Sequence, residues 1–379
     1  MKVRSQIMIF VLLFGTLMLG STNSQSTPLQ GDQSYVISSQ IVISSNQDFV
    51  SKEFPGTGVS GDPYRISGYQ IDDAGVNLIS ISNTDKYFAI FGNLLQLGSN
   101  GIYLSNVTNG QIYDNIITNN TINGVKFINS TNIDVTSNEL GYNGNPSCPP
   151  PNLGLNQIKL NSHLGNGGWV DPSSNINFYG NDIHDNVYNG LYINGSSEMI
   201  IQDNKFNSNG QTCGSGFQQL NTLVPHMGFG IIIVDNSTSI TISNNNITNS
   251  KSYGVALDNQ TSNISVSHNN FYNNNNGQVQ IYDDGSNTIS CNYYDDLVPS
   301  NNYTADGTAT NVDTCQQTSS NLVTDTYPTP TYSTSTDTSS DSSSGGGGGG
   351  SLLGSDSIFL LLFFSLVSVS YLYRKTNRR

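Results

Sequence analysis

The sequence has few cationic residues for its length. Its 379 residues include 13 Lys and Arg against 27 Asp and Glu, which gives a formal net charge of −14. Between residues 30 and 318, Arg65 is the only arginine. Nucleic acids are bound mainly by cations that neutralise phosphates, so this composition argues against a nucleic-acid partner. A strongly negative surface is instead typical of a solvated outer face.

Tryptophan, histidine and cysteine are scarce as well. The chain contains one Trp, four His and four Cys. No CxxC spacing is present, so disulfides are favoured over a metal site. Two Asp-Asp pairs, at 283–284 and 295–296, suggest calcium, but no EF-hand spacing supports it. We therefore predict no resident cofactor or metal site, with calcium as the one alternative.

Long apolar runs occur at the two ends of the chain. Residues 1–25 have the basic start, apolar middle and small-residue end of a secretory signal peptide, although a retained anchor is the alternative. Residues 352–373 form an apolar segment that predicts a transmembrane helix. The basic tail, 374–379, places the C-terminus in the cytoplasm and argues against a lipid-anchor signal. Residues 319–351 are rich in Ser, Thr, Pro and Gly and predict an extended stalk. The chain is therefore expected to be exported as a single-pass membrane protein, with its folded part on the extracellular side of the cell membrane.

The middle of the chain is an internal repeat. One asparagine recurs at intervals of 22 to 24 residues, with two longer steps of 43 and 41 residues that indicate insertions. This column comprises Asn93, Asn115, Asn138, Asn181, Asn204, Asn245, Asn269 and Asn292. Two residues after each asparagine lies an apolar residue, and these are Leu95, Ile117, Leu140, Ile183, Phe206, Ile247, Phe271 and Tyr294.

Short β-branched segments bounded by Gly and Asn indicate strands and turns within each repeat. Stacked apolar columns at about 23 residues predict coils of a parallel β-helix. We expect an all-β solenoid of about eight or more coils at residues 76–298, with entry strands at 26–75 and a C-terminal cap at 299–318. The asparagines are expected at coil corners, where Asn tolerates left-handed backbone and can bond to the copies above and below.

The repeat resembles the NosD-type right-handed parallel β-helix family, which is also seen in pectate-lyase-like proteins. "GTGVSGDPYRISGYQI" is similar to that family's lead-in to the first coils, and the tail resembles the sorting tails of archaeal surface proteins. The resemblance implies the fold and leaves the activity open, because this fold serves lyases, hydrolases, epimerases and adhesins. Family catalytic signatures are missing: Asn83-Thr84-Asp85 is not followed by Gly-His-Gly or Arg-Ile-Lys, and Asp171-Pro172 is followed by serines.

One candidate binding surface is the outward row on the first strand of each coil. The row is expected to contain Tyr103, Lys126, Lys159, Tyr192, Ile232 and Ala256. Two adjacent lysines flanked by tyrosines would suit a carboxylated sugar, although chance placement is the alternative. Insertions bring Trp169, His163 and Asp171 near this row, and Trp169 either stacks on a sugar or plugs its own loop.

A second candidate row consists of Glu139, Asp182 and Lys205 on successive coils, with His184 beside it. Two carboxylates about 5 Å apart could carry out glycoside chemistry. The simpler interpretation is a cross-strand charge ladder.

The cysteines are expected to pair as Cys148 with Cys213 and Cys291 with Cys315. The first two lie on insertions from the same corner, and the second two would tie the C-terminal segment over the last coil.

Nine Asn-X-Ser/Thr sequons fit an exported glycoprotein, though several are expected to be accidental. The sequons are Asn106, Asn119, Asn129, Asn194, Asn236, Asn246, Asn259, Asn263 and Asn302.

The sequence as a whole predicts a membrane-anchored surface β-helix that binds or displays carbohydrate without catalysis. Its expected ligand is a polysaccharide or glycan, with an acidic polymer as the sharper form of the hypothesis. The alternatives are an extracellular polysaccharide lyase or glycoside hydrolase, and a structural envelope protein with no ligand.

Overall fold

A computed structural model of the chain describes residues 34–145, 165–210, 227–296, 302–309 and 311–317. These residues form short parallel strands that stack coil upon coil into three long sheets. Each strand has apolar residues at alternate positions, so one face of every sheet is turned inward. The predicted right-handed parallel β-helix is confirmed as an all-β solenoid.

Sheet 1 contains one strand from each coil and pairs in parallel along its whole length. Its strands are β2 Ile41–Ile43, β5 Ile79–Thr84, the first half of β8 Asn100–Tyr113, β10 Asn123–Ile128, β13 Asn166–Asp171, β16 Leu191–Asn194, β19 Ile231–Val234, β22 Val255–Leu257 and β25 Ile281–Asp283.

Sheet 2 follows sheet 1 in each coil, and the long strand β8 runs through both. Its strands are β3 Tyr64–Ser67, β6 Phe88–Phe91, the second half of β8, β11 Thr131–Thr136, β14 Ser174–Tyr179, β17 Ser197–Gln202, β20 Thr238–Ser243, β23 Ser262–Ser267 and β26 Ser286–Ser290.

Sheet 3 completes each coil with strands that are two or three residues long. Its strands are β1 Val36–Ile37, β4 Tyr69–Ile71, β7 Leu94–Gln96, β9 Ile116–Thr118, β12 Glu139–Gly141, β15 Asp182–His184, β18 Lys205–Asn207, β21 Asn246–Thr248, β24 Asn270–Tyr272 and β27 Tyr293–Tyr294.

Helix is nearly absent from the described residues. One short α-helix, α1 Asn46–Ser51, lies near the N-terminal end, and a 3-10 turn occupies Asn274–Gly277. Beyond sheet 3, β28 Tyr303–Thr304 and β29 Val312–Asp313 pair in antiparallel fashion. Within the described ranges, no helix has the length and apolar character needed to span a membrane.

The predicted apolar columns form one continuous interior. Leu95, Ile117, Leu140, Ile183, Phe206, Ile247 and Phe271 are all fully buried. They belong to a single hydrophobic cluster that extends from Ile41 to Ala305. Because each coil covers the apolar face of the next, the array is expected to unfold as a cooperative stack.

The asparagine column is a continuous hydrogen-bonded ladder. From Asn93 to Asn292, the side-chain amide of each member donates to the side-chain oxygen of the next, at 2.9 to 3.1 Å. Each amide also donates to a main-chain carbonyl of the preceding coil, as Asn181 does to Val135. The corner backbone therefore keeps its polar groups paired although the asparagines are buried.

The left-handed backbone lies one residue earlier than the sequence suggested. The ladder asparagines have ordinary φ, while the residue before each one has a φ of 53 to 60°. These preceding residues are Gly92, Asp114, Ser137, Gly180, Asp203, Asn244, His268 and Cys291. The chain turns from sheet 2 into sheet 3 at this residue, and the asparagine that follows holds the turn in place.

Two further asparagine ladders lie at the corner between sheet 3 and sheet 1. One links Asn120, Asn143, Asn186 and Asn209 in the same direction as the main ladder. The other runs in the opposite direction, with Asn123 donating to Asn100 and Asn166 to Asn123. The asparagine-rich composition is therefore explained mainly by corner packing.

The N-terminal end of the solenoid is closed by aromatic packing. Phe49 of α1 is fully buried and stacks on Tyr64 with ring centroids 4.6 Å apart. Tyr64 begins β3, within the stretch that the sequence identified as the entry to the first coils.

The C-terminal end is closed by a carboxylate and a disulfide. The fully buried Asp313 accepts hydrogen bonds from the main chain and side chain of Asn292, and from the Tyr294 hydroxyl. The predicted bond between Cys291 and Cys315 is present, with Cα atoms 4.5 Å apart. The predicted Cys148–Cys213 pair lies outside the described residues.

We expect the substitution Asn181→Ala to destabilise the whole stack. It would remove the acceptor of the Asn138 main-chain N–H and of one Asn138 side-chain N–H, and the side-chain donor to the Val135 carbonyl, at a cost of about 3 kcal/mol in unfolding free energy. Urea unfolding followed by circular dichroism would measure this cost. The exposed Asn259→Ala is the matched control and should change stability by less than about 0.5 kcal/mol.

Replacing Cys315 by Ser should loosen one end of the solenoid only. The disulfide closes a chain segment with a sequence separation of 24, for which about 3 kcal/mol of stabilisation is expected. Hydrogen exchange should speed up in β26 to β29 and stay unchanged in β10 to β14, because each coil contacts only its neighbours. Uniform acceleration along the chain would contradict local capping.

Candidate functional site

The outward row of sheet 1 differs from the prediction at one position. Lys126 of β10 pairs with Tyr103 on one side and with Trp169 of β13 on the other. The sequence had placed Lys159 beside Lys126, so the predicted pair of lysines is wrong. Lys159 itself lies outside the described residues, as does His163.

The error arose from the position of the insertion. Trp169 and Asp171 were expected on an insertion, but Asn166–Asp171 is a strand of sheet 1. Trp169 is therefore an outward residue of that strand. The signal that could have located it is the "NGGWV" segment, which repeats the "NGVKF" pattern of the preceding coil.

Lys126 and Trp169 form a cation–π contact. The Lys126 Nζ atom lies 3.8 Å from the centre of the Trp169 ring. Burial lowers the pKa of Lys126, and the nearby charge of Asp171 opposes this. Because Lys126, Trp169 and Tyr103 are each partly exposed, they present a mixed aromatic and cationic surface to solvent. We call these three residues the aromatic platform.

Tyr192 lies next in the row but is buried. Its exposed fraction is 3%, and its ring meets the Trp169 ring edge-on with centroids 5.7 Å apart. Burial, together with the charges of Asp235 and Asp171, raises the pKa of Tyr192 far above its ordinary value. Tyr192 therefore packs beside Trp169 on the neighbouring strand and does not present its ring to a ligand.

A second hydrophobic cluster continues from Tyr192 on the outer face of sheet 1. It contains Phe229, Ile232, Val234 and Ala256, all buried, with Tyr253 and Tyr282 packed at its edge. The predicted row members Ile232 and Ala256 therefore belong to a packed outer cluster, and the solvent-facing part of the row is the aromatic platform.

Asp171 lies at the end of β13 beside the aromatic platform. It accepts a hydrogen bond of 2.8 Å from the side-chain amide of Asn194 in the next coil. This carboxylate is the nearest negative charge that influences Lys126. The platform thus combines one cation with one anion.

The charged row of sheet 3 is confirmed in register. Glu139 pairs with Asp182, and Asp182 pairs with Lys205, on successive strands. Lys205 Nζ lies 3.4 Å from an Asp182 oxygen, and the two side chains are 48% and 41% exposed. This exposed pair is a cross-strand ion pair, the simpler of the two interpretations, and contributes little to stability.

His184 is held between two carboxylates. Its Nε2 atom lies 3.5 Å from Glu139 and its Nδ1 atom 3.0 Å from Asp185. The hydrogen bond with Glu139 is the largest cause of a raised pKa of about 9, which burial partly opposes. The imidazole is therefore protonated at neutral pH and is already paired, which makes it a poor general base.

Gly141 explains how His184 reaches Glu139. A Cβ atom at Gly141 would lie 2.6 Å from the His184 ring, so only glycine leaves room for the ring to cross the neighbouring strand. Tyr142, the next residue, meets the His184 ring edge-on with centroids 5.1 Å apart. His184 could be identified from the sequence, but Tyr142 and Asp185 were missed. Both lie four residues after a ladder asparagine, in a column of left-handed corner residues whose types differ from coil to coil.

A cavity of about 410 Å³ opens beside Tyr142. Apolar and polar residues both line it, including Leu97, Asn119, Tyr142, Asp185 and Val187. Tyr142 and Leu97 are each 51% exposed, which is unusual for large apolar side chains that lie together.

The Asp-Asp pairs considered for calcium are engaged within the protein. Asp283 accepts from the side chain of Asn287, and Asp284 from the Tyr282 hydroxyl. The second pair, 295–296, accepts from the side-chain amide of Gln280. Across the described ranges, no group of three or more His, Cys, Asp or Glu side chains could hold a metal ion.

Comparison with known proteins agrees with this architecture. A family model described as the right-handed beta helix region matches residues 57–224 and 154–296. No curated protein matches the sequence.

Several solved structures are similar to this chain at low identity. A pectate lyase, Pel9A, is 14% identical with a TM-score of 0.48 and covers 76% of this chain and 69% of its own. The mannuronan C-5 epimerase AlgE4 A-module of Azotobacter vinelandii is 14% identical with a TM-score of 0.40, covering 67% and 73%. Tailspike protein 2 of an Escherichia coli O157:H7 bacteriophage is 15% identical with a TM-score of 0.43, covering 60% of this chain and 31% of the tailspike. The chain thus spans about a third of the tailspike length, and these similarities concern the fold alone.

The raised pKa of His184 can be tested by nuclear magnetic resonance. We expect its imidazole to titrate near pH 9, and the substitution Glu139→Gln to lower that midpoint by removing the main stabilising partner. The ion pairing of protonated His184 stabilises the folded state fully below pH 6.5, and this stabilisation is lost as the pH rises through about 9. Glu198→Gln, on sheet 2, is the matched control and should leave the midpoint unchanged. A wild-type midpoint near 6.5 would contradict the pairing.

Proposed function

This chain belongs to the right-handed β-helix family, and on that basis we propose that it binds carbohydrate through the aromatic platform without catalysing a reaction. The observation that supports this most directly is the alignment of Tyr103, Lys126 and Trp169 on three neighbouring strands. Sugar rings present C–H faces that pack on aromatic rings and hydroxyls that accept hydrogen bonds from an ammonium group.

The platform suits a polymer that runs along the solenoid. Neighbouring strands are about 4.8 Å apart, so the three side chains present contacts at about 5 Å intervals along the axis. A polysaccharide could therefore use several contacts at once, while a single sugar would use one.

The charges at the aromatic platform affect whether an acidic or a neutral polysaccharide is preferred. Lys126 could donate charge-assisted hydrogen bonds to a carboxylate, which is the argument for an acidic polymer. Asp171 lies close by, and the chain carries a net charge of −14, so both oppose a polyanion. We therefore expect weak binding of acidic polymers that is lost in salt.

The charged row of sheet 3 favours binding over catalysis. The lyase or glycosidase alternative requires Glu139 and Asp182 to act on a substrate. Glu139 faces the protonated His184, and Asp182 faces Lys205, so each carboxylate already has a cationic partner. A glycosidase instead needs one carboxyl group that stays protonated as the general acid.

The proposed location is the outer face of the cell membrane. Its support comes from the sequence: the signal-like residues 1–25, the stalk at 319–351 and the apolar segment at 352–373 with its basic tail. These segments lie outside the described residues. The finer resemblance to NosD-type repeats and to archaeal surface tails belongs to the same proposal.

Glycan-array binding with two substitutions tests the platform. We expect Trp169→Ala to weaken polysaccharide binding by about tenfold, because a stacked ring contributes about 0.5–1.5 kcal/mol beyond the apolar area that it buries. Lys126→Gln should weaken acidic polymers more than neutral ones. Lys205→Gln, which removes a lysine from sheet 3, is the control and should bind normally.

Three outcomes would overturn the proposal. Binding that survives Trp169→Ala would remove the platform from the site, and loss of binding in Lys205→Gln would move the site to sheet 3. Depolymerisation of a bound glycan, abolished by Asp182→Asn, would show that the protein is an enzyme.

A further inference from the structure

The nine sequons fall into two groups by the state of their asparagines. Seven side chains are exposed: Asn106, Asn119, Asn129, Asn236, Asn259, Asn263 and Asn302. Asn194 and Asn246 are only partly exposed. The Asn194 amide donates to Asp171 at 2.8 Å, and the Asn246 side-chain oxygen accepts from Asn270 at 2.7 Å. Among the exposed asparagines, Asn106 and Asn263 also donate to a neighbouring coil. A sugar on Asn194 or Asn246 would disturb cross-strand packing.

Asn119 is distinguished from the other exposed sequons by its surroundings. It follows β9 at a corner with a φ of 57° and lines the cavity beside Tyr142. The cavity volume of about 410 Å³ is within the range that accommodates a small organic ligand. Leu97 and Tyr142 contribute half-exposed apolar surface to its lining.

We propose that Asn119 carries an N-linked glycan whose first sugar packs against Tyr142 and Leu97 in this cavity. The apolar face of a sugar ring matches the Tyr142 ring, while Thr121 and Asp185 supply polar groups at the cavity wall. The glycan would cover apolar surface that is otherwise open to water.

The transfer must occur before this coil folds. Asn120 is fully buried in a ladder, and the Thr121 hydroxyl donates to the Gly98 carbonyl at 3.0 Å, so the folded sequon is not free to enter an enzyme. In the transfer, the Asn119 amide nitrogen bonds to the anomeric carbon of a lipid-linked sugar phosphate. The bond from that carbon to the phosphate oxygen breaks, the lipid phosphate leaves, and one amide proton is released.

This inference rests on the proposed export of the chain, because such donors are used during export. Folding then places the attached sugar in the cavity. We expect the glycan to raise the melting temperature by about 2–4 °C, the shift that corresponds to a modest gain for a domain of this size.

The test uses the full chain, produced in a host that exports proteins and attaches Asn-linked glycans. Mass spectrometry of glycopeptides should find Asn119 occupied and Asn194 empty. Thr121→Ser keeps the sequon and should retain the glycan and the melting temperature. Thr121→Ala removes the sequon, so this variant should lack the glycan and have a lower melting temperature.

A second variant separates packing from occupancy. Tyr142→Ser should keep the glycan, but enzymatic deglycosylation should then no longer lower the melting temperature. The exposed sequon at Asn263 provides a comparison, since Ser265→Ala should remove that glycan with little thermal effect.

The outcomes distinguish this inference from the proposed function. Failure of the chain to be exported would overturn the location and this inference together, and would leave the platform assay unaffected. Occupied Asn106 and Asn129 with an empty Asn119 would overturn this inference alone. An occupied Asn119 whose thermal effect persists in Tyr142→Ser would overturn the packing.

Discussion

The solenoid depends on satisfying the corner backbone through side-chain amides. A coil of about 23 residues must reverse direction at each corner, and there the main chain leaves the sheet and loses its strand partners. An asparagine can donate and accept at once, so identical residues in successive coils complete one another. Removing the side chain of any member, such as Asn181, breaks side-chain hydrogen bonds to the coils on both sides. The sheets can remain two to six residues wide in most coils because the corners are held independently of them.

The periodic part of the structure could be predicted from the sequence, since stacking repeats the same environment in every coil. Leu140 and Ile183 align because both lie two residues after a ladder asparagine. The prediction failed where periodicity is broken. The 43-residue step from Asn138 to Asn181 contains an insertion, and an error in its placement exchanged Trp169 for Lys159 beside Lys126. The left-handed residue was also misplaced by one position, because Asn is only one of several residue types that precede the ladder.

The two candidate surfaces also contain features that could be predicted from the sequence and features that could not. The row Glu139, Asp182 and Lys205 was predictable because it repeats in register. The cluster around His184 was not, since it depends on the missing side chain of Gly141 and on Tyr142, a corner residue. The exposure of side chains could not be predicted from the sequence either: Tyr192 alternates as an outward residue but is buried as a member of an outer hydrophobic cluster. Period-two patterns give the face of a sheet, and they do not report what covers that face.

The direction of the main ladder sets a rule for how such a protein can change length. Every amide donates toward the C-terminal end, so any coil can be duplicated or deleted whole and each remaining asparagine still meets an equivalent neighbour. The last donor, Asn292, needs an acceptor, and Asp313 supplies one that has no hydrogen to donate. A carboxylate cannot pass the pattern on, since it has no amide hydrogen to offer. Asp313 therefore ends the ladder. Duplication of whole coils is expected between existing coils and not after Asp313.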